Sequence, residues 1–377
     1  MSRSQLLDLL REAPAYQAAH AGYVSQGVAE VEPFPFLAIV GQEEMKLALV
    51  LAVINPAVGG VLLLGPRGTG KTTAVRSLVD LLPSRVISLC ENGCTEAMLE
   101  AGGMAAICKA CAQKAGYGEP LSREERVRIV NLPLNARLED VVGGIDERLA
   151  LEQQRVRLER GLLSQADGHI LYIDEVNMLE DQIADAILDA AAQGYYTVRR
   201  GPQKLTYSSR FLLVGSMNPE EGHLRPQLMD RFGLRVLVRG LDDAAERFRA
   251  YEQAVWYQRD PEGMAAAYAA HTLTLAEEIA VAQGRLPGVR VDEAARDLGL
   301  AVIRQAGIHS ARAEITLFEA ARAYAAADER ERVESDDVRA VALLALRLRR
   351  SPALDAFLEA QAAEDEQLRA ALAGPPA

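Results

Sequence analysis

The stretch GVLLLGPRGTGKTTAVRSL, residues 60–78, constrains the fold more than any other part of the chain. The apolar run GGVLLLG at 59–65 suits a strand buried on both faces, and TTAVRSLVDLLP has helical spacing up to Pro83. Between them, GPRGTGKT at 65–72 has the spacing G-x-x-x-x-G-K-[ST]. Gly65, Gly68 and Gly70 let the backbone turn so tightly that its N–H groups face phosphate oxygens, and the N-terminus of the following helix adds positive potential. Lys71 then reaches the β- and γ-phosphates, and the Thr72 hydroxyl ligates Mg²⁺. A strand, a phosphate loop and a helix in this order start an α/β domain.

The following segments extend the pattern. RVISL at 85–89 reads as the next strand and RIVNLPL at 128–134 as another. HILYIDEV at 169–176 is a buried strand with acids at its C-terminal end, and the helix LEDQIADAILDAAAQ stops at Gly194. YYTVRRGPQKLTYSS alternates on both sides of Gly-Pro, as a β-hairpin does, and RFLLVGSMN at 210–218 is a further buried strand. Repeated strand–helix–strand order predicts a doubly wound parallel sheet, a P-loop NTPase fold with a β-hairpin insertion. Beyond about residue 241 strand signals stop. An all-α region follows, and SDD at 335–337 supplies an N-cap signal.

In a doubly wound sheet, ligands bind at the C-terminal ends of the strands. Asp174 and Glu175 in ILYIDEVN stand at such an end, where Asp174 is placed to hold Mg²⁺ through water and Glu175 to polarise the attacking water. In GSMNP, Asn218 ends the next strand and can hydrogen-bond the same water or the γ-phosphate. Arg231, in RPQLMDRFG, reads either as a surface salt-bridge partner or as a group reaching a neighbour's active site. Arg312 begins a later helix.

At 377 residues the chain has room for two or three domains. The expected division is an N-terminal helix and lead-in (1–35), the nucleotide-binding α/β domain (36–240), a helical linker (241–285), a helical lid (286–360) and a disordered tail (361–377). The formal charge of −12, from 41 basic and 53 acidic residues, argues against nucleic acid as partner. No apolar run reaches the length of a membrane span, and the N-terminus lacks a signal peptide's apolar core, so the expected location is the cytoplasm, where disulfides are rare.

Longer phrases go further than the phosphate loop. IVGQEEMKLAL (39–49), INPAVGGVLLLGPRGTGKTT (54–73), VNLPLNARLEDVVGGID (130–146), LERGLL (158–163), GHILYIDEVNMLEDQIADAILDAAAQG (168–194) and VGSMNPEEGHLRPQLMDRFGL (214–234) keep their order along the chain. Together they closely resemble the ATPase subunit I of magnesium chelatase, of the AAA+ class, over roughly residues 36–340. The resemblance implies that Ile39, Val40 and Gly41 lie near the adenine, and that Gly65, Pro66, Arg67, Gly68, Thr69, Gly70, Lys71, Thr72 and Thr73 form the phosphate loop. It also makes Asp174 and Glu175 the Walker B pair, Asn218 sensor 1, Arg231 an arginine finger acting in trans and Arg312 the sensor 2 arginine. It implies a homo-oligomeric ring, read as a hexamer, a D subunit that is part AAA+ and part integrin-like, and a large porphyrin-binding H subunit. The joint reaction uses ATP to insert Mg²⁺ into protoporphyrin IX for (bacterio)chlorophyll synthesis. Three departures stand out. Pro66 replaces the usual acid, Met217 lies in GSMNPEEG where the family has glycine, and His223 follows Gly222 in place of Glu. A MoxR-like or cobalt-chelatase-associated ATPase acting on an integrin-domain partner is the alternative, with the same site chemistry.

All four cysteines, Cys90, Cys94, Cys108 and Cys111, fall in an insertion at 90–126 as C-x3-C and C-x2-C pairs thirteen residues apart. The spacing fits a structural Zn²⁺ with four thiolate ligands. A four-thiolate iron–sulfur cluster uses the same ligands, and four reduced thiols without metal are the third reading.

Overall fold

The computed structural model describes residues 5–11, 32–90, 93–144, 159–200, 203–222 and 224–351, together with 356, 361 and 365. The lead-in at 12–31, His223 and nearly all of the expected tail lie outside these residues.

Five parallel strands form the central sheet: β1 (Val61–Leu64), β4 (Ile129–Asn131), β5 (Ile170–Ile173), β8 (Leu212–Met217) and β9 (Leu234–Leu237), in the order β4-β5-β8-β1-β9. Every residue of β1 and β5 is buried, as the uninterrupted apolar runs require. Alternate residues serve opposite faces. Val61 and Leu63 join one core, and Leu62 and Leu64 join the other.

Among the described residues the helices are α1 (Gln5–Arg11), α2 (Glu43–Ile54), α3 (Lys71–Ser77), α4 (Glu96–Gly102), α5 (Lys109–Gly116), α6 (Leu138–Val142), α7 (Leu162–Gln165), α8 (Asp181–Gln193), α9 (Pro226–Arg231), α10 (Ala244–Arg259), α11 (Pro261–Arg285), α12 (Glu293–Gln305), α13 (Arg312–Ala327) and α14 (Ser335–Leu346). One face of the sheet is covered by α2 and, continuous with it, by the C-terminal helices: Leu49, Leu51, Leu275, Leu317 and Val341 share one cluster. The other face is covered by α8 and α9, through Ile183, Ile187 and Leu228. Helix α8 ends at Gly194, whose φ of 73° closes the last turn, where the Gly194 N–H donates to the Ala190 carbonyl. The hairpin is present as β6 (Tyr195–Arg200) and β7 (Gln203–Ser208).

Four details differ from the sequence reading. RVISL does form a strand, β2 (Arg85–Ser88), but it pairs antiparallel with β3 (Ser122–Glu125) in a separate ribbon. Its side chains are too exposed for a central position; Val86 is 57% exposed. Strand β9 lacks an apolar signature because Arg235 interrupts it. Arg235 is nevertheless 1% exposed, and its guanidinium donates to the carbonyls of Arg347 and Met229. The helical region contains a short strand pair, β10 (Arg290–Val291) and β11 (Arg332–Val333). The cap of α14 lies one residue before SDD: Glu334 is the N-cap, and its N–H donates to Asp337 at 2.7 Å in a reciprocal capping box.

Candidate functional site

Strand register brings the motifs together. Leu64 lies opposite Met217, and the Gly65 N–H donates to the Met217 carbonyl at 3.1 Å, so the phosphate loop emerges beside Asn218. Ile173 lies opposite Gly215, which sets Asp174 beside Ser216. Lys71, Thr72, Asp174, Glu175 and Asn218 therefore meet at the C-terminal ends of three adjacent strands.

The loop itself depends on glycine. A Cβ on Gly65 would stand 2.1 Å from the Val238 carbonyl oxygen, and Gly68 and Gly70 have φ of +77° and +82°. The Lys71 amine lies within the turn, donating to the carbonyls of Gly65 (2.7 Å) and Pro66 (2.6 Å). Burial pulls its pKa below the ordinary lysine value, and the charges of Asp174 and Glu221 oppose that shift. The Thr69 hydroxyl donates to the Pro66 carbonyl at 3.0 Å.

Tyr172 links the two expected magnesium residues. Its hydroxyl stands 3.1 Å from the Thr72 hydroxyl and donates to Asp174 Oδ1 at 3.1 Å. Ser216 also donates to Asp174, and its hydroxyl accepts from the Glu175 N–H at 3.3 Å. Thr72 and Asp174 are hard oxygen donors on either side of one hydroxyl, a set that suits a Mg²⁺ retaining several of its waters. Glu175 has φ of 52°, a left-handed conformation that costs energy in a non-glycine residue and is found at functional sites. Its carboxylate is held by Arg67 of the phosphate loop at 3.0 Å, and Arg67 also pairs with Glu221 at 2.8 Å. Asn218 accepts from the Glu220 N–H and donates to Glu221 at 3.0 Å, so it caps the turn that follows as well as facing the loop.

A cavity of about 750 Å³ opens beside the loop, lined by Ile39, Val40, Gly68, Thr69, Gly70 and Thr73, among others. Lys46, itself buried, donates to the carbonyl of the lining residue Ile39 at 3.3 Å. Gly41 stands at the edge, where a Cβ would lie 2.7 Å from a Leu241 methyl.

Arg231 and Arg312 are elsewhere. They line a second cavity of about 390 Å³ with Gly59, Gly60 and Leu212, at the N-terminal ends of β1 and β8. The sheet thus separates both arginines from their own phosphate loop. Arg231 pairs with Asp189 at 3.2 Å and donates to the Leu188 carbonyl. Asp230 is a hub, with Arg349 at 3.1 Å, Arg312 at 3.5 Å and Arg235 at 3.9 Å. Burial pulls the Arg235 pKa down to about 9, and the neighbouring Arg349 charge adds to the effect.

Tyr172, Ser216 and Glu221 have no assigned role in the sequence reading. Tyr172 carries a detectable signal, a hydroxyl in an otherwise aliphatic buried strand. The roles of Ser216 and Glu221 depend on register. The four cysteines lie away from this site, beyond the β2–β3 ribbon, which meets the sheet where Arg85 donates to the Asp167 carbonyl at 2.5 Å, before β5 begins.

Residues 119–232 match the family described as the AAA domain of the dynein-related subfamily, and residues 301–371 match the AAA lid domain. A magnesium-chelatase subunit ChlI homolog of Methanocaldococcus jannaschii is 41% identical over 322 residues, covering 85% of this chain and 86% of that protein. A magnesium-chelatase 38 kDa subunit of Acidiphilium rubrum is 42% identical over 322 residues, covering 85% of this chain and 92% of that protein. A solved putative ATPase from Cytophaga hutchinsonii covers 83% of each chain at 16% identity with a TM-score of 0.54, a likeness of fold alone. Identity at this level over nearly the whole of both relatives, on a sheet that gathers the phosphate-loop and strand-end acids, shows that the chain belongs to the family of magnesium-chelatase I subunits, AAA-class ATPases.

Proposed function

We propose that this chain is the ATP-hydrolysing motor subunit of a magnesium chelatase, driving insertion of Mg²⁺ into protoporphyrin IX in (bacterio)chlorophyll synthesis. The observation that carries the reading is the convergence of Lys71, Thr72, Asp174, Glu175 and Asn218 at adjoining strand ends, in a chain 42% identical to a magnesium-chelatase subunit.

Chemically, the Lys71 amine exchanges the loop carbonyls for the β- and γ-phosphates. Thr72 and Asp174 hold the nucleotide's Mg²⁺, which neutralises phosphate charge when bound. Glu175, released from Arg67, orients and polarises the attacking water, and Asn218 fixes that water or the γ-phosphate. Adenine lies against Ile39, Val40 and Gly41. Arg231 and Arg312 lie at the opposite end of the sheet from their own Lys71, which favours action on a neighbour's nucleotide in a homo-oligomeric, hexameric ring. The partners are a D subunit and a large porphyrin-binding H subunit; the relatives' names, which describe them as subunits, fit a multi-chain enzyme.

ATP-dependent Mg²⁺ insertion, followed by porphyrin fluorescence with candidate D and H subunits added, tests the proposal. The expected result is Mg-protoporphyrin formed only with this chain and ATP, and none with Glu175→Gln. Efficient insertion in the absence of this chain would overturn it.

A further inference from the structure

The insertion between β2 and β3 lacks the means to hold itself together by apolar packing. Helix α4 and the turn Gly103–Ala106 bury no residue, and α5 buries only Cys111. Its separate core consists of Cys94, Ile107, Cys111 and Leu121, so half of it is cysteine. Tyr117, Met104 and Met98 are 84%, 53% and 42% exposed. A segment below about 40 residues with so small a core needs a cross-link or a metal to hold a fold.

The cysteines supply the geometry. None forms a disulfide, yet all four sulfurs lie within 4.8 Å of one another. Four thiolates around one Zn²⁺ at about 2.3 Å form a tetrahedron with edges of ~3.8 Å. The sulfurs are therefore close to their final positions. A multi-iron cluster needs a wider cage, because irons and sulfides stand between its thiolates. The surroundings are those of a thiolate site: the Cys94 N–H donates to Cys90 Sγ at 3.4 Å, the Cys108 N–H to Cys94 Sγ at 3.3 Å, and the Ser88 hydroxyl to Cys90 Sγ at 3.5 Å.

We propose that Cys90, Cys94, Cys108 and Cys111 bind a single Zn²⁺ that is the main tertiary tie of the insertion, joining α5 to the end of the β2–β3 ribbon. The site is closed, with four protein ligands and no open position, so its role is structural. It stands apart from the nucleotide site and does not depend on how ATP hydrolysis is used. Losing the metal unfolds residues 90–121 and leaves the nucleotide site intact, because the sheet has its own cores.

The test uses the full-length chain, purified without a metal-affinity step. Metal analysis is expected to give about one zinc per chain, and Co²⁺ exchange is expected to give thiolate-to-metal charge-transfer bands of tetrahedral cobalt. After chelation under reducing conditions, trypsin should cut at Lys109 and Lys114 much faster, while ATP-analogue binding stays unchanged. The pair Cys108→Ser and Cys111→Ser should behave like the chelated protein; if it is insoluble, Cys90→Ser with ATP-analogue binding as the folding control serves instead. A chain purified without zinc, one carrying iron and sulfide, or one whose cleavage is the same with and without metal would each overturn the proposal.

Discussion

The nucleotide end of the sheet and the cysteine insertion both gather reactive side chains, and different forces hold them. At the nucleotide end, strands buried on both faces fix the register, and register places Asp174 beside Ser216 and Gly65 beside Asn218. The polar groups are positioned by an apolar core that exists before any ligand arrives. The insertion has two short helices, a two-stranded ribbon and a core of four buried residues. There the reactive side chains are themselves the core. A site of the first kind tolerates loss of its ligand and is damaged through the core. A site of the second kind is lost with its ligand.

The largest effect that probes this contrast is chemical. Arg231→Ala is expected to lower ATP turnover by about 10³-fold or more, with ATP-analogue binding retained. Loss of binding instead would mean that Arg231 supports the fold through Asp189 and Leu188. Glu175→Gln is expected to cost about 10²- to 10⁴-fold in turnover, again with binding retained, as single-turnover hydrolysis would record. On the side of stability, Leu62→Ala removes a fully buried side chain from the sheet and is expected to cost ~2–5 kcal/mol in denaturant unfolding. Ile107→Ala should change only local protease sensitivity within the insertion. Global destabilisation of similar size by Ile107→Ala would erase the distinction between the two regions.

Smaller effects refine it. Glu96 ties α4 to the start of β3, accepting from the Leu121 N–H at 2.6 Å and the Ser122 N–H at 3.1 Å, as well as from the Ser122 hydroxyl. These bonds, that of the Ser122 hydroxyl foremost, pull its pKa down to about 2. The folded value is depressed below an unfolded value of about 4.3, so its contribution is present above that pH and is lost as pH falls toward 2. At neutral pH, where the native carboxylate is charged and its bonds to Leu121 and Ser122 are intact, the metal-loaded Glu96→Gln protein should be cleaved within the insertion a few-fold faster than the metal-loaded native chain, as limited trypsin digestion would show; equal cleavage rates would mean that these bonds do not hold α4 to β3. The smallest effect belongs to Arg67→Ala. Exposed ion pairs are worth ~0–1 kcal/mol, so freeing Glu175 from Arg67 should change the KM for ATP only a few-fold.

How much of this is legible in sequence follows from the same contrast. The phosphate loop, the strand-end acids and the cysteine quartet are local patterns, readable because their function depends on spacing within a few residues. Strand β9 is hidden because Arg235 stands in it, its guanidinium paired with carbonyls supplied from Met229 and Arg347, one of them more than a hundred residues distant. The ribbon pairing of β2 is equally non-local, since its partner β3 comes only after Cys111, the last of the four cysteines. Tyr172, Ser216 and Glu221 enter the site through register and side-chain reach, which no linear motif encodes. The placement of Arg231 and Arg312 at the far end of the sheet likewise emerges only in three dimensions.

That placement carries the central claim, a nucleotide site shared between neighbouring chains. Mixing Lys71→Ala chains with Arg231→Ala chains, each inactive alone, tests it most directly. In mixed rings some interfaces pair an intact Lys71 with an intact Arg231 from the neighbour. The account predicts ATPase activity in the mixture well above either component, greatest near equal proportions. A mixture that stays at the level of its components at every ratio, with ring assembly verified, would contradict it.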